Sequence, residues 1–151
     1  MNPPPPNTIH YQRCQFVAQL PVACRYTTSH YWLAPQTEGA WRVGFTKFAV
    51  RLLGEPVELT FQIAPGDVIS PGQTLGSIEG FKAVVELHAV VSGRLAAINP
   101  RLHESLDLLQ SDPFGEGWLY SVHGTPQPET LDVHGYSAAL DRIIDAMNKE
   151  A

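Results

Sequence analysis

Gly76-Ser77-Ile78-Glu79-Gly80-Phe81-Lys82-Ala83-Val84-Val85-Glu86-Leu87 is the stretch on which the reading of this chain turns. With their neighbours included, residues 74–78 and 83–88 suit two short strands. Glu79-Gly80-Phe81-Lys82 lies between them. Glycine takes φ > 0 at no steric cost, so Gly80 is expected to make a tight turn. Such a hairpin holds Lys82 out at its tip on stiff strands. Phe81 stands beside it, an aromatic that a merely solvated turn does not need. Taken alone, a lysine in a turn is an ordinary surface feature, and the flanking sequence decides whether it is more.

Upstream, residues 57–63 alternate Val57, Leu59, Phe61 and Ile63 with Glu58, Thr60 and Gln62, the period of a half-buried strand. Before it, Phe48, Ala49, Leu52 and Leu53 recur at helical spacing, with Thr46 placed as N-cap and Gly54 where a helix end favours glycine. Earlier still, residues 30–33 and 41–45 read as a hairpin around a turn at 35–39, and residues 8–27 hold one or two short strands. Downstream, residues 90–98 supply a turn and a strand. Asn99-Pro100 opens a helix with Leu102, Leu106 and Leu109 on one face, and residues 118–122 close the β region. Short strands divided by Pro-Gly and Ser-Gly turns predict a mainly β domain, a small barrel or sandwich. The expected core includes Trp41, Phe45, Phe48, Ile78, Val85, Leu95, Leu109 and Trp118.

The predicted organisation is an extended, proline-rich tail at 1–7, a domain at 8–124 and a linker at 125–135. Residues 136–151 then form a C-terminal amphipathic helix, its helical part at 137–149. Tyr136, Leu140, Ile143 and Met147 make its apolar stripe. A lone short helix is marginal in water, so the stripe is expected to dock on the domain itself.

The 151 residues, 44% apolar and 17% charged, suit one folded domain with a real core. A net charge of -5 argues against a general nucleic-acid or anionic-membrane role. No apolar run approaches the ~18 residues of a membrane span. The first residues carry no secretory or transit pattern, so a cytoplasmic location is expected. Two cysteines, Cys14 and Cys24, fit neither a disulfide framework nor a zinc pattern, and reduced thiols are the default.

There is no serine nucleophile elbow, phosphate-binding glycine loop or His-x-x-x-His pair, and the six histidines are scattered, so neither catalytic residues nor a metal site is expected. Glu79 and Glu86 flank a turn, not a pocket. A Schiff-base role for Lys82 needs burial that a hairpin tip does not provide. A lysine on a rigid tip suits a carrier instead. Acylation removes its charge and adds a long tether, and the attached cofactor then holds the reactive group while the protein presents it.

Three pieces of the chain resemble the H protein of the glycine cleavage system, a lipoyl carrier. His30-Tyr31-Trp32, Trp41-Arg42-Val43-Gly44-Phe45-Thr46-Lys47-Phe48-Ala49 and Leu53-Gly54-Glu55 resemble the family's N-terminal hairpin and short helix. Gly76-Ser77-Ile78-Glu79-Gly80-Phe81-Lys82-Ala83 resembles its lipoylation hairpin, with a glutamate three residues before the lysine. Asp112-Pro113-Phe114-Gly115-Glu116-Gly117-Trp118-Leu119 is similar to the signature near its C-terminus. Order and spacing together carry the resemblance, over about residues 30–123.

The resemblance implies a barrel-sandwich hybrid, the lipoyl-domain type of fold, with short peripheral helices and an extra C-terminal helix. It implies a non-catalytic carrier with lipoate in amide linkage to Lys82. Glu79, Gly80, Phe81 and Ala83 would then be read by the lipoate ligase or lipoyl transferase and by the partner enzymes. In that family the arm takes an aminomethyl group from a pyridoxal-phosphate glycine decarboxylase. It serves an aminomethyltransferase next and is reoxidised by dihydrolipoamide dehydrogenase. This sequence departs from the pattern at Gly80-Phe81, where the family has a small and then an aliphatic residue, and at Pro56. The N-terminal extension and the helix at 137–149 lie outside the usual family length. A carrier for another lipoate-dependent system such as bacterial sulfur oxidation, a lipoyl relay, or an unmodified interaction module would keep the same hairpin. A biotin carrier turn resembles Ala-Met-Lys-Met, which Phe81-Lys82-Ala83 does not.

Overall fold

The computed structural model describes residues 7–149; the expected tail at 1–7 lies, apart from Asn7, outside them. Six strands form one antiparallel sheet: β3 (Arg25–Tyr26), β4 (Tyr31–Pro35), β5 (Ala40–Phe45), β11 (Tyr120–Pro126), β10 (Val91–Ile98) and β7 (Val68–Ile69), in that spatial order. A second sheet holds β6 (Pro56–Phe61), β8 (Thr74–Gly80) and β9 (Val84–His88). The main core lies between the two and is built from Leu33, Val43, Ile69, Leu75, Ile78, Leu87, Leu95 and Val122, all buried. This is the β-sandwich architecture that the short alternating strands predict.

The 46–54 signals work as read. The helix α1 (Lys47–Leu53) starts at Thr46, whose hydroxyl accepts from Ala49 N, and ends at Gly54 with φ 79. The helix expected after Asn99 is instead divided. A 3-10 turn at Pro100–His103 is followed by a short α2 (Leu108–Ser111), and Leu102 and Leu109 still reach the core. The buried Asn99 side chain is committed to the chain opposite, donating to Glu116 O and Trp118 O at 2.8 Å each. That tie secures the 112–118 loop, where Trp32 Nε1 also donates to Pro113 O at 2.8 Å.

A second layer covers the far side of β3 and β4. It is made by a two-stranded ribbon, β1 (Thr8–Arg13) and β2 (Phe16–Pro21), and by α3 (Val133–Lys149). Tyr136, Leu140 and Ile144 of α3 are buried there with Tyr11, Phe16, Tyr26 and Trp32. The Tyr26 and Tyr136 rings stack with centroids 4.7 Å apart. Tyr11 Oη donates to Asp141 at 2.8 Å, and Arg13 clasps Asp145 through two nitrogens at 2.6 and 3.0 Å. The helix starts four residues before the span its apolar stripe selects, because Asp132 accepts from Gly135 N at 2.8 Å and Val133 is already buried. Cys14, exposed, and Cys24, buried, are free thiols; burial pushes the Cys24 thiol up to about 11.

Candidate functional site: a clamped hairpin tip

The β8–β9 hairpin carries Lys82 at its turn, as the sequence predicts, but the turn is built differently. Gly80 is not the left-handed residue; it belongs to β8 and is buried. Phe81, Lys82 and Ala83 make the connection, closed by Gly80 N donating to Ala83 O at 2.8 Å. Gly80 is needed for a close approach. A Cβ there would sit 2.3 Å from Leu53 O and 2.6 Å from Leu53 Cγ. The C-terminal end of α1 therefore lies directly against the tip.

That contact clamps the tip's backbone. Lys82 N donates to Leu53 O and Phe81 N to Glu55 O, both at 3.0 Å. Carbonyls at a helix end lack intrahelical partners, and the hairpin supplies donors to them. Gly54 completes the fit, since a Cβ on it would meet Lys82 Cγ at 2.9 Å and Lys82 N at 3.1 Å. The clamp residues Leu53-Gly54-Glu55 are part of the family resemblance, but nothing in the local sequence assigns them this role.

Phe81 projects into solvent, while the Lys82 side chain runs back along the end of α1. Lys82 is exposed, and its Nζ donates to Arg51 O at 3.3 Å. Among the described residues it forms no ion pair. Phe81 is 76% exposed. Glu79 is exposed on the outer face of β8, and Ala83 is half-buried. Val85, an expected core residue, is instead exposed. It sits opposite Ile78 on β9, an edge strand that no further strand covers among the described residues. A groove of about 430 Å³ beside Lys82 is walled by Phe16, Val50, Arg51 and Glu55.

The clamp is anchored at the other end of α1. Thr46 Oγ1, the N-cap, lies 2.7 Å from Tyr136 Oη, which lies 3.0 Å from His30 Nδ1. His30 N and O are tied to Thr27 O and Thr46 N. Burial holds the His30 imidazole down at about 4, so it stays neutral near neutral pH. With Nδ1 as acceptor, the bonds run in one direction from Ala49 N through Thr46 and Tyr136 to His30.

A two-sheet β domain that clamps the backbone of a hairpin turn and leaves a single lysine in solvent belongs to the class of carrier domains. The family model described as glycine cleavage H-protein matches residues 24–139. The glycine cleavage system H proteins of Shewanella sp. (strain ANA-3) and Shewanella baltica (strain OS155) are 33% and 32% identical over 128 residues, covering 83% of this chain and 98% of each relative. The crystal structure of a glycine cleavage system H protein from Mycobacterium marinum superposes with a TM-score of 0.71 at 33% identity, covering 79% of this chain and 97% of that one. The chain belongs to the glycine cleavage H-protein family. The match reaches residue 139, inside α3, so the C-terminal helix is not wholly outside the family's length as the sequence alone suggested. The β1–β2 ribbon does lie outside the matched span.

Proposed function

We propose that this protein carries lipoate in amide linkage to Lys82 and serves glycine decarboxylation as a non-catalytic carrier. The observation that carries this reading is the pairing of a clamped backbone with a free amine at the tip. An amide formed at Nζ keeps one N–H, which can still donate to Arg51 O. The groove beside Lys82 has space for part of the acyl chain. Loss of the lysine charge strands no carboxylate partner. These features fit the group.

The chemistry the bound lipoyl group supplies is acceptance of an aminomethyl group on its dithiolane at a pyridoxal-phosphate decarboxylase, transfer at an aminomethyltransferase, and reoxidation by dihydrolipoamide dehydrogenase. What the chain contributes is placement. The bonds from Lys82 N and Phe81 N fix the root of the arm, so that its reach is set by the arm and not by a wandering loop. Glu79, Phe81 and the half-buried Ala83 form the surface that a lipoate ligase or lipoyl transferase reads, while Gly80, expected in that surface, is buried against Leu53 and shapes it from beneath. No described helix is long and apolar enough to cross a membrane.

The test is intact mass and peptide mapping after co-expression with a lipoate ligase and lipoate. A lipoyl adduct on Lys82 is expected. An unmodified Lys82 under those conditions would move the protein to the interaction-module reading.

A further inference from the structure

The main core is left open along β6. Leu59 of β6 and Ile78 of β8 are register partners and share one face of their sheet, yet Ile78 is fully buried and Leu59 only half-buried. Phe61 and Ile63, next along the same alternation, are half-buried as well. The reason is a groove of about 630 Å³ between β6 and the segment from Ile98 to Leu106. Leu59, Phe61, Ile63, Ile98 and Leu106 give it an apolar lining that is continuous with the core. Covering such a lining with a further apolar group is favourable.

β6 is also an edge strand, paired with β8 and with no other strand among the described residues. In an antiparallel pair, alternate residues turn their N–H and C=O groups to the partner and the others turn them away. Gln62 N donates to Leu75 O at 2.8 Å, which fixes the phase. Thr60 therefore faces β8, and Leu59 and Phe61 present N–H and C=O to the open side, where no described group bonds them. On the opposite edge, β9, the free row falls at Val84 and Glu86, because Gly80 N is bonded to Ala83 O. The groove carries negative charge. Glu58, Glu104 and His103 line it. Both carboxylates are exposed, and among the described residues neither is in an ion pair. Arg101, shortly before Glu104 in the chain, is taken by Glu116 at 2.6 Å.

We infer that the β6 edge is a strand-addition site, and that its occupant is an extended, basic segment of another protein in which apolar residues alternate with lysine or arginine. The segment adds to the sheet as an antiparallel fourth strand, bonded to the N–H and C=O groups of Leu59 and Phe61. Residues opposite those two share their face, so the apolar side chains enter the groove. The alternate residues lie on the outer face with Glu58, where an opposite charge across the strands is favourable. Main-chain bonds supply the affinity and the alternation supplies the specificity. Residues 3–6 of this chain cannot be the occupant, because prolines have no N–H to donate. A second copy pairing through its own β6 would bring two Glu58 carboxylates onto one face with no cation between them, which works against association. Nucleic acid is repelled by the same carboxylates. Occupancy of the edge requires nothing of Lys82.

The test titrates the isotope-labelled full chain with a blocked peptide of alternating valine and lysine, about six residues long, and follows amide shifts and hydrogen exchange by NMR. Saturable binding is expected. At a peptide concentration of about ten times Kd, exchange at Leu59 and Phe61 should slow about tenfold, while Val84 and Glu86 on the β9 edge stay unchanged. The peptide's valine N–H groups face β6 in this arrangement and its lysine N–H groups face away. N-methylation of the valines should therefore weaken binding at least about tenfold, and N-methylation of the lysines should leave it within about twofold. Glu58→Lys, checked for folding by far-UV circular dichroism, should weaken it about tenfold and reduce its salt dependence. Absence of saturable binding, equal binding of the two methylated peptides, or protection at Val84 and Glu86 would each overturn the site. So would concentration-dependent protection of Leu59 and Phe61 without peptide, the mark of pairing with a second copy. Failure of Lys82 to be acylated would leave it standing.

Discussion

Replacing Gly80 by alanine tests whether the lysine is presented by a clamp or by a free-standing hairpin. Gly80 does not occupy the left-handed region, so alanine adds no backbone strain and the effect is steric. The new Cβ would lie 2.3 Å from Leu53 O, and reaching ordinary contact requires the tip to retreat by about 1 Å. That retreat breaks the bonds from Lys82 N to Leu53 O and from Phe81 N to Glu55 O, now 3.0 Å each. Two such bonds contribute roughly 1 kcal/mol each, and a buried carbonyl left without a partner costs about 1–3 kcal/mol more. Water reaching Leu53 O offsets part of that, so a loss of about 2–4 kcal/mol is expected. For a chain of this size it corresponds to about 6–12 °C in Tm. Urea unfolding followed by circular dichroism gives the free energy, and amide hydrogen exchange at Phe81 and Lys82 reports the clamp directly. Both amides should exchange much faster in the variant. A loss below about 0.5 kcal/mol, within the range of ordinary surface changes, with unchanged exchange at Lys82, would refute the clamp.

Three further outcomes follow from the same contacts. Lys82→Arg keeps the charge on an exposed side chain, so stability should stay within about 0.5 kcal/mol while mass spectrometry shows no acylation; a large fall in Tm would mean that the lysine supports the fold. Tyr136→Phe removes the hydroxyl between Thr46 and His30 and leaves their buried polar atoms short of a partner, which should cost about 1–3 kcal/mol in chemical denaturation; a neutral effect would dissolve the α1 anchor. His30→Asn removes a titrating group while keeping a residue tolerant of the left-handed φ of 73 found there. The His30 pKa of about 4 lies below its unfolded value, so the unfolded chain binds the extra proton first. Its contribution is complete above about pH 6.5 and is lost as pH falls towards 4, by at most about 3 kcal/mol and less for a half-buried ring. The unaltered protein should therefore lose stability faster than His30→Asn across that window, and parallel stability profiles would refute the assignment.

Much of this protein is legible in local pattern. Thr46 and Gly54 bracket α1 because capping depends on residues within one turn of the helix end. Alternation across 57–63 marks β6, and the stripe through Tyr136 and Leu140 marks α3, since both periods are properties of adjacent residues. Lys82 in a short turn was visible for the same reason. The purpose of Gly80 was not. Local rules assign a glycine in a turn to positive φ, whereas this one makes room for Leu53 O, 27 positions earlier in the chain. Val85 has the composition of a core residue, but its exposure depends on whether a strand lies beyond β9, and among the described residues none does. The joining of the β1–β2 ribbon to α3 likewise pairs the two ends of the described chain. Sequence by itself determined α1 and its caps, the alternation of β6, the stripe of α3 and the lysine between two strands, because those are set by neighbouring residues. Only the tertiary structure decided that the end of α1 holds the tip in place, because a steric fit between backbones distant in sequence leaves no periodic trace in either.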